Sequence, residues 1–512
     1  VKEALLARAE NASRDGKAVL KSTSQMATDR ALIKSAIKLV ETQEMAPERA
    51  IWEAATSFAD QMAALGGYMA ERVTDIHDVR ARIVAELTGQ QAPGIPVSDE
   101  PFILAAIDLA PADTATLDPE KVIALITSDG GPQAHTAILA RGLGLPAIVA
   151  AKGVTDIADG TIVYVDSNEG IVDTEPTDAD REAAIKYANR KPVADFDGQG
   201  VLADGTRVPL YANVGDGKSA EKAASLKAEG VGLLRTEFGF LGHDAEPSIE
   251  TQAKTYKSVF DAFPGKHIVV RTLDAGADKP LPFLNVNPEE NPALGVRGFR
   301  TDWTVPGVLT RQLEAIKAAS ENSDADIWVM APMISTTSEA RNFANMLKEI
   351  GLPVHGVMVE TPAAVMNAEA ILGEVDFVSI GTNDLTQYTM AADRLLGDLA
   401  HLNNPWQPAV LKMIKMTVEG AQRASVTAGK KKYVSVCGEA AADPALAVVL
   451  IGLGVDTLSM NAGAIPAVAA VLKSVTKEKA QQIAAIALQQ ISSAEAKESA
   501  RKALPILDEL GL

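Results

Sequence analysis

One cysteine, Cys437, stands in 512 residues, which excludes internal disulfides and any cysteine-rich zinc site. Long apolar runs are missing too: no stretch approaches the ~18 uncharged apolar residues of a membrane span. No signal-peptide pattern opens the chain, so a cytoplasmic location is expected. Basic residues are in deficit. Forty-eight Lys and Arg face 67 Asp and Glu, a net charge of −19. That argues against general binding to nucleic acid and fits a basic protein partner. What is present is ordinary for a globular protein: 47% hydrophobic and 22% charged residues. At roughly 150 residues per domain the length predicts about three domains, fewer if one is a large barrel. The first residue is Val, and the opening residues already read as helix, so the natural amino terminus is expected upstream.

Residues 1–92 read as helices. Ile51, Ala54, Ala55, Phe58, Met62 and Leu65 recur at three- and four-residue spacing. So do Met69, Val73, Ile76, Val79, Ile83 and Leu87. Such stripes give each helix one buried face, and Gly66-Gly67 and Gly89 are the expected breaks. Pro93, Gly94 and Pro96 mark a boundary. Short apolar runs follow within 93–176, at Phe102–Leu109, Val122–Thr127, Ala147–Ala150, Ile162–Asp166 and Gly170–Val172, and predict a compact α/β unit. Within 177–199, Thr177–Arg190 reads as a polar spacer helix. The remainder, 200–512, repeats a short apolar run followed by a helix. The runs are Pro209–Asn213, Val231–Leu234, Ile268–Thr272, Ile327–Met333, Val354–Glu360, Asp376–Ile380, Tyr433–Cys437 and Val455–Ser459. Strands too apolar to alternate belong in a parallel sheet covered on both faces, and eight of them interleaved with helices predict a (β/α)8 TIM barrel. Asp204-Gly205 adds a hairpin signal within Val201–Val214, and Thr476–Leu512 reads as closing helices.

In such a barrel the chemistry lies at the carboxyl ends of the strands. Those ends carry Arg235 and Glu237, then Arg271 and Asp274, then Glu360, then Gly381-Thr382-Asn383-Asp384, then Cys437-Gly438-Glu439, with Arg297 and Arg394 in loops. Arginines converging on one mouth call for an anion, because unpaired buried cations are expensive and a guanidinium fork suits phosphate and carboxylate. Glu360 and Asp384 are hard oxygen ligands of the kind Mg2+ takes alongside substrate oxygens. The predicted ligand is a small phosphorylated acid held with magnesium. Cys437 reads either as an inert buried hydrophobe or as a proton donor to carbon. Among the histidines, His135 has a distinctive setting. A strand runs into the glycine-rich Thr127–Ala134 loop, and Thr136–Arg141 opens a helix. Backbone N–H groups and the helix dipole there favour an arriving phosphoryl group, and imidazole is a competent nucleophile at neutral pH. Thr127 is placed to hold the ring; the competing reading is a capping or core histidine.

These segments together resemble enzyme I of the bacterial phosphoenolpyruvate:sugar phosphotransferase system. Gly130–Arg141 (GGPQAHTAILAR) looks like that family's phosphohistidine signature, a block shared with other phosphoenolpyruvate-using enzymes. Gly356–Ala364 (GVMVETPAA), Asp376–Tyr388 (DFVSIGTNDLTQY) and Val436–Glu439 (VCGE) look like its second signature region, and the middle block is highly specific. The likeness runs from about residue 70 to about 475. It implies a helical subdomain, a swivelling α/β phosphohistidine domain and a barrel through which members form homodimers. It further implies that phosphoenolpyruvate binds in the barrel with Mg2+ on Glu360 and Asp384. Arg235, Arg271, Asn383 and Arg394 match the positions gripping its phosphate and carboxylate, and Arg297 matches a further motif arginine. By the same resemblance His135 attacks phosphorus, Cys437 protonates the enolate to give pyruvate, and the phosphoryl group passes to the carrier protein HPr on the helical subdomain. Two departures stand out. Gln133-Ala134 replaces the usual Thr-Ser, and a first α/β strand and part of the helical subdomain are expected to be missing.

Overall fold

The computed structural model describes residues 1–512 except 11–19, 22, 66–72, 91, 93, 97, 110–112, 114–116, 119, 130–135, 137–139, 141–144, 168–169, 189–192, 194, 242, 244, 276–280, 285–288, 322, 395 and 397–398. The chain forms two compact units, Val1–Ile185 and Lys186–Leu512.

The first unit begins with helices Lys2–Glu10, Arg30–Gln43, Pro47–Leu65 and Val73–Thr88. Asp29 opens the second, its carboxylate accepting the N–H groups of Ala31 and Leu32. The expected stripes meet in part: Ile51, Ala54 and Ala55 pack with Leu32, Ala36 and Ile76, whereas Leu87, at the end of the second stripe, is exposed. Gly89, at φ +67°, follows the fourth helix in the left-handed conformation that glycine adopts freely. Gly66-Gly67 and Met69 lie outside the described residues. Arg82 is buried, its Nε on Asp78 at 2.9 Å and its Nη2 on Asp113 at 2.6 Å, which ties the fourth helix to the segment beyond the first strand.

The α/β part holds β1 (Phe102–Ala106), β2 (Val122–Thr127) and β3 (Ala147–Ile148) in one parallel sheet of that order. Strands β4 (Tyr164–Asp166) and β5 (Ile171–Asp173) form an antiparallel pair. The helix Asp178–Ala188 buries no residue, as its polar sequence predicts, and the division between the two units falls within it.

The second unit is a closed eight-stranded parallel barrel of β6 (Leu210–Val214), β7 (Gly230–Arg235), β8 (His267–Arg271), β9 (Asp326–Ile334), β10 (His355–Val359), β11 (Phe377–Gly381), β12 (Tyr433–Cys437) and β13 (Thr457–Met460). Each strand coincides with one of the eight apolar runs. The strands are apolar throughout because both faces are covered. Ile268, Val270, Val329, Ala331, Val357 and Val359 face the helical layer, while Leu233, Val269, Met330 and Met358 fill the barrel. The predicted hairpin at Asp204-Gly205 is reduced to a single antiparallel bridge, Val201 with Arg207. Both edges of β6 are taken by β7 and β13, so little strand is left for a hairpin partner. Helices Lys477–Leu488, Ser493–Lys502 and Ile506–Leu510 close the chain.

Candidate active site

Local sequence places each polar residue at the barrel mouth. Arg235 and Arg271 are the last residues of β7 and β8. Glu360 follows β10 and stops there because Thr361 caps the next helix, its hydroxyl accepting the Ala364 N–H, with Pro362 in the first turn. Gly381 ends β11 and leads into helix Thr382–Met390, which puts Asp384 in a first turn where the helix dipole favours a carboxylate. Cys437 ends β12, and Gly438 turns away at φ +109°. Arg297 and Arg394 reach in from loops.

These groups form one alternating chain of charge. Arg271 Nη2 donates to Glu237 Oε1 at 2.8 Å, and its Nη1 lies 3.0 Å from Asp274 Oδ2. Arg297 bridges Asp274 at 3.1 Å and Asp384 at 2.9 Å. Arg394 reaches the far oxygen of Asp384 at 3.4 Å. The expectation of arginines lacking counter-ions is therefore corrected. Arg271 and Arg297 are almost fully buried, and Glu237, Asp274 and Asp384 already neutralise them. Glu237 and Asp274 are the partners whose role sequence reasoning missed, although both stand at strand ends.

Glu360 is buried, and its Oε2 accepts the Met333 N–H at 2.8 Å. Burial, then the charges of Asp384 and Asp274, push its carboxyl up to about 8, with Arg271 and Arg297 pulling the other way. Such a carboxylate crowd is the setting that a divalent cation relieves, and oxygen donors suit a hard one, so Glu360 and Asp384 fit a metal. Arg271 Nε and Thr382 Oγ1 are buried without a hydrogen-bond partner among the described residues. Leaving such groups unmade costs about 1–3 kcal/mol each, so a ligand that meets them gains that much.

Cys437 is buried, its thiol 3.6 Å from the Ile380 carbonyl. Burial, the largest effect, raises its pKa; Glu360 raises it too, while Ser379 and the Arg271 and Arg235 guanidinium groups lower it. The thiol therefore carries its proton at neutral pH, as a proton donor must. Asn383 is exposed in the first helical turn. Arg235 lines a cleft of about 410 Å³ with Asn213, Asp216, Phe238, Glu439 and Asn461.

In the other unit, the Thr127 hydroxyl at the end of β2 donates to the Asp129 carbonyl at 2.8 Å, and the Thr136 hydroxyl to Asp108 at 2.8 Å. His135 lies outside the described residues. No group of three or more metal-binding side chains is found among the described residues. No described helix is long and apolar enough to cross a membrane.

Comparison with known proteins decides the family. The PEP-utilising enzyme descriptions match in series: the N-terminal domain at residues 1–72, the mobile domain at 98–170 and the PEP-binding domain at 193–477. A phosphoenolpyruvate-protein phosphotransferase of Streptomyces coelicolor is 45% identical over 504 residues, 98% of this chain and 89% of the relative. The chain belongs to the phosphoenolpyruvate-protein phosphotransferases. Relatives of the same name from Haloferax volcanii and Staphylococcus carnosus are 39% and 36% identical, over 88% and 84% of this chain and 81% and 77% of theirs. Within this phosphotransferase family the barrel with its Arg–Asp chain is the phosphoenolpyruvate-binding part, and β1–β5 fall in or beside the mobile domain.

Proposed function

We propose that this chain transfers the phosphoryl group of phosphoenolpyruvate to His135, releases pyruvate, and hands the group on to the carrier protein HPr as the first general step of sugar uptake. The observation that carries the reading is the Arg271–Asp274–Arg297–Asp384–Arg394 chain beside buried Glu360 and Cys437, brought together at the barrel mouth by strand ends and the loops and helix that follow them. Arg235, Arg271, Arg297 and Arg394, with Asn383 and Asp384, orient the substrate's phosphate and carboxylate. Glu360 and Asp384 would hold Mg2+, which would supply positive charge against the anionic substrate. Arginines hold the transferring group while charge spreads over its oxygens, which is the main demand of phosphoryl transfer. Cys437 gives its proton to the enolate carbon. Thr127, one strand end from the histidine loop, steadies the His135 ring.

The domain division that serves this reading is 1–92 for the HPr-docking helices, 93–176 for the histidine carrier, 177–199 for the spacer and 200–512 for the substrate barrel. The barrel is the proposed homodimer surface, and the cytoplasm the working compartment.

Incubation with phosphoenolpyruvate labelled at phosphorus tests the reading. An acid-labile phosphoprotein is expected with Mg2+, lost in His135→Ala and discharged by HPr. Pyruvate release without label on the protein would overturn it.

A further inference from the structure

Strand β9 contains Pro332 at a point where its ladder with β8 has ended, at Met330, while its ladder with β10 continues to Ile334. Proline cannot donate to a ladder, and inside a sheet it is confined to edges and bulges. A bulge is what the register records. Val357 pairs with Ala331, but Val359 pairs with Ile334, so β9 spends one residue more than β10 across this step. Met333 takes up the extra length at φ +59°, a left-handed conformation costly for a residue with a side chain. Its side chain is buried. Its N–H leaves the ladder and donates to Glu360 Oε2 at 2.8 Å.

Two glycines hold this arrangement. A Cβ on Gly298, the residue after Arg297, would lie 3.0 Å from Met333 Cβ and 3.2 Å from Pro332 Cγ. A Cβ on Gly381 would lie 2.4 Å from Glu360 Oε1. The carboxylate is thus held on one oxygen by a backbone amide, with the other against the glycine that leads into Asp384.

We infer that the β9 bulge makes Met333 a positioning residue whose amide occupies one oxygen of Glu360, so that the carboxylate meets a cation through its other oxygen alone and the site selects a small octahedral cation over calcium. Calcium takes six to eight oxygens, often with bidentate carboxylates, whereas magnesium keeps strict octahedral geometry. A carboxylate with one oxygen held by an amide suits the second and handicaps the first. The inference rests on the reading of Glu360 as a metal ligand.

The test uses the full chain and measures cation binding by calorimetry, without turnover, for Mg2+ and Ca2+. Wild type is expected to prefer Mg2+. Met333→Gly accepts the left-handed conformation and keeps the N–H, so it retains that preference. Met333→Val disfavours the conformation; the amide turns away, and the preference for Mg2+ over Ca2+ falls by about ten-fold or more, the usual scale for a group that orients a metal ligand. A second measurement covers the case in which Met333→Val does not fold: infrared difference spectra of Mg2+-loaded wild type, with the Glu360 bands identified by Glu360→Gln. A monodentate carboxylate pattern is expected. A bidentate pattern, or an unchanged Mg2+ to Ca2+ ratio in a folded Met333→Val, overturns the inference while leaving Glu360 as ligand. Cation binding unaffected by Glu360→Gln overturns instead the ligand reading beneath it.

Discussion

Replacing Glu360 by glutamine separates what this carboxylate costs the fold from what it gives the site. The side chain is buried, and burial together with Asp384 and Asp274 raises its pKa from 4.5 to about 8. The folded protein therefore holds this proton more tightly than the unfolded chain does. Between pH 4.5 and 8 the folded state binds more protons, so stability falls as pH rises through that window and levels off above it. The full shift corresponds to roughly 5 kcal/mol at ~1.36 kcal/mol per unit, an upper bound that an effective dielectric near ~20 reduces. Glutamine keeps an oxygen for the Met333 N–H and carries no charge. Glu360→Gln should thus be more stable than wild type by about 1–3 kcal/mol at pH 8.5 without metal, and nearly equal to it at pH 5. Mg2+ should raise the barrel's melting temperature in wild type, more at pH 8 than at pH 6 because the ligand must lose its proton, and have little effect on the variant. Scanning calorimetry with and without Mg2+ at the two ends of the window reads all of this. A variant less stable than wild type at pH 8.5 in the absence of metal would refute the account of Glu360 as a strained, proton-holding group.

Asp274 joins two buried guanidinium groups, so Asp274→Asn should lower stability by about 2–4 kcal/mol in urea unfolding and loosen the grip on phosphoenolpyruvate; a loss under 0.5 kcal/mol would show that Arg271 and Arg297 find other partners. Cys437→Ser removes a buried thiol with little change in volume, and turnover should fall by about 10²–10⁴ with substrate affinity kept; unchanged pyruvate formation would remove Cys437 from proton transfer. Gly381 has φ −89°, which alanine accepts, so Gly381→Ala acts through its clash with the Glu360 side chain, at Oε1, Cγ and Cδ; cation affinity should drop at least about ten-fold in calorimetry while the fold survives. Gln312 accepts the Leu273 N–H and donates to both Thr236 and Tyr256; Gln312→Leu strands these buried groups and should cost about 2–3 kcal/mol in thermal unfolding.

The barrel was legible because its signal is one of composition along the chain. Every strand buried on both faces must be an unbroken apolar run, and the loops that follow must hold the polar groups. Arg235, Arg271, Glu360 and Cys437 could be placed at strand ends from such runs alone. Pairing between these groups was not legible, because it depends on contacts across 23 residues, as in Arg297 with Asp274, or 87, as in Arg297 with Asp384. The arginines looked like unsatisfied cations in one dimension; in three they are held by acids from neighbouring strand ends. That changes the physics of substrate capture. Arg271, Arg297 and Arg394 are paired with Glu237, Asp274 and Asp384, so these three guanidinium groups bring the mouth no excess positive charge with which to attract an anion. An anion gains there only where it finds unmade donors such as Arg271 Nε, or where a cation on Glu360 and Asp384 arrives with it. One signal for the missing layer did lie in the sequence. Pro332 sits near the end of an otherwise regular apolar run, past the last residue that pairs with β8, and a proline in a strand has room only where a ladder has ended or is broken. The break falls at Met333, whose amide is the one that reaches Glu360. A proline inside a barrel strand therefore marks where the backbone itself joins the site.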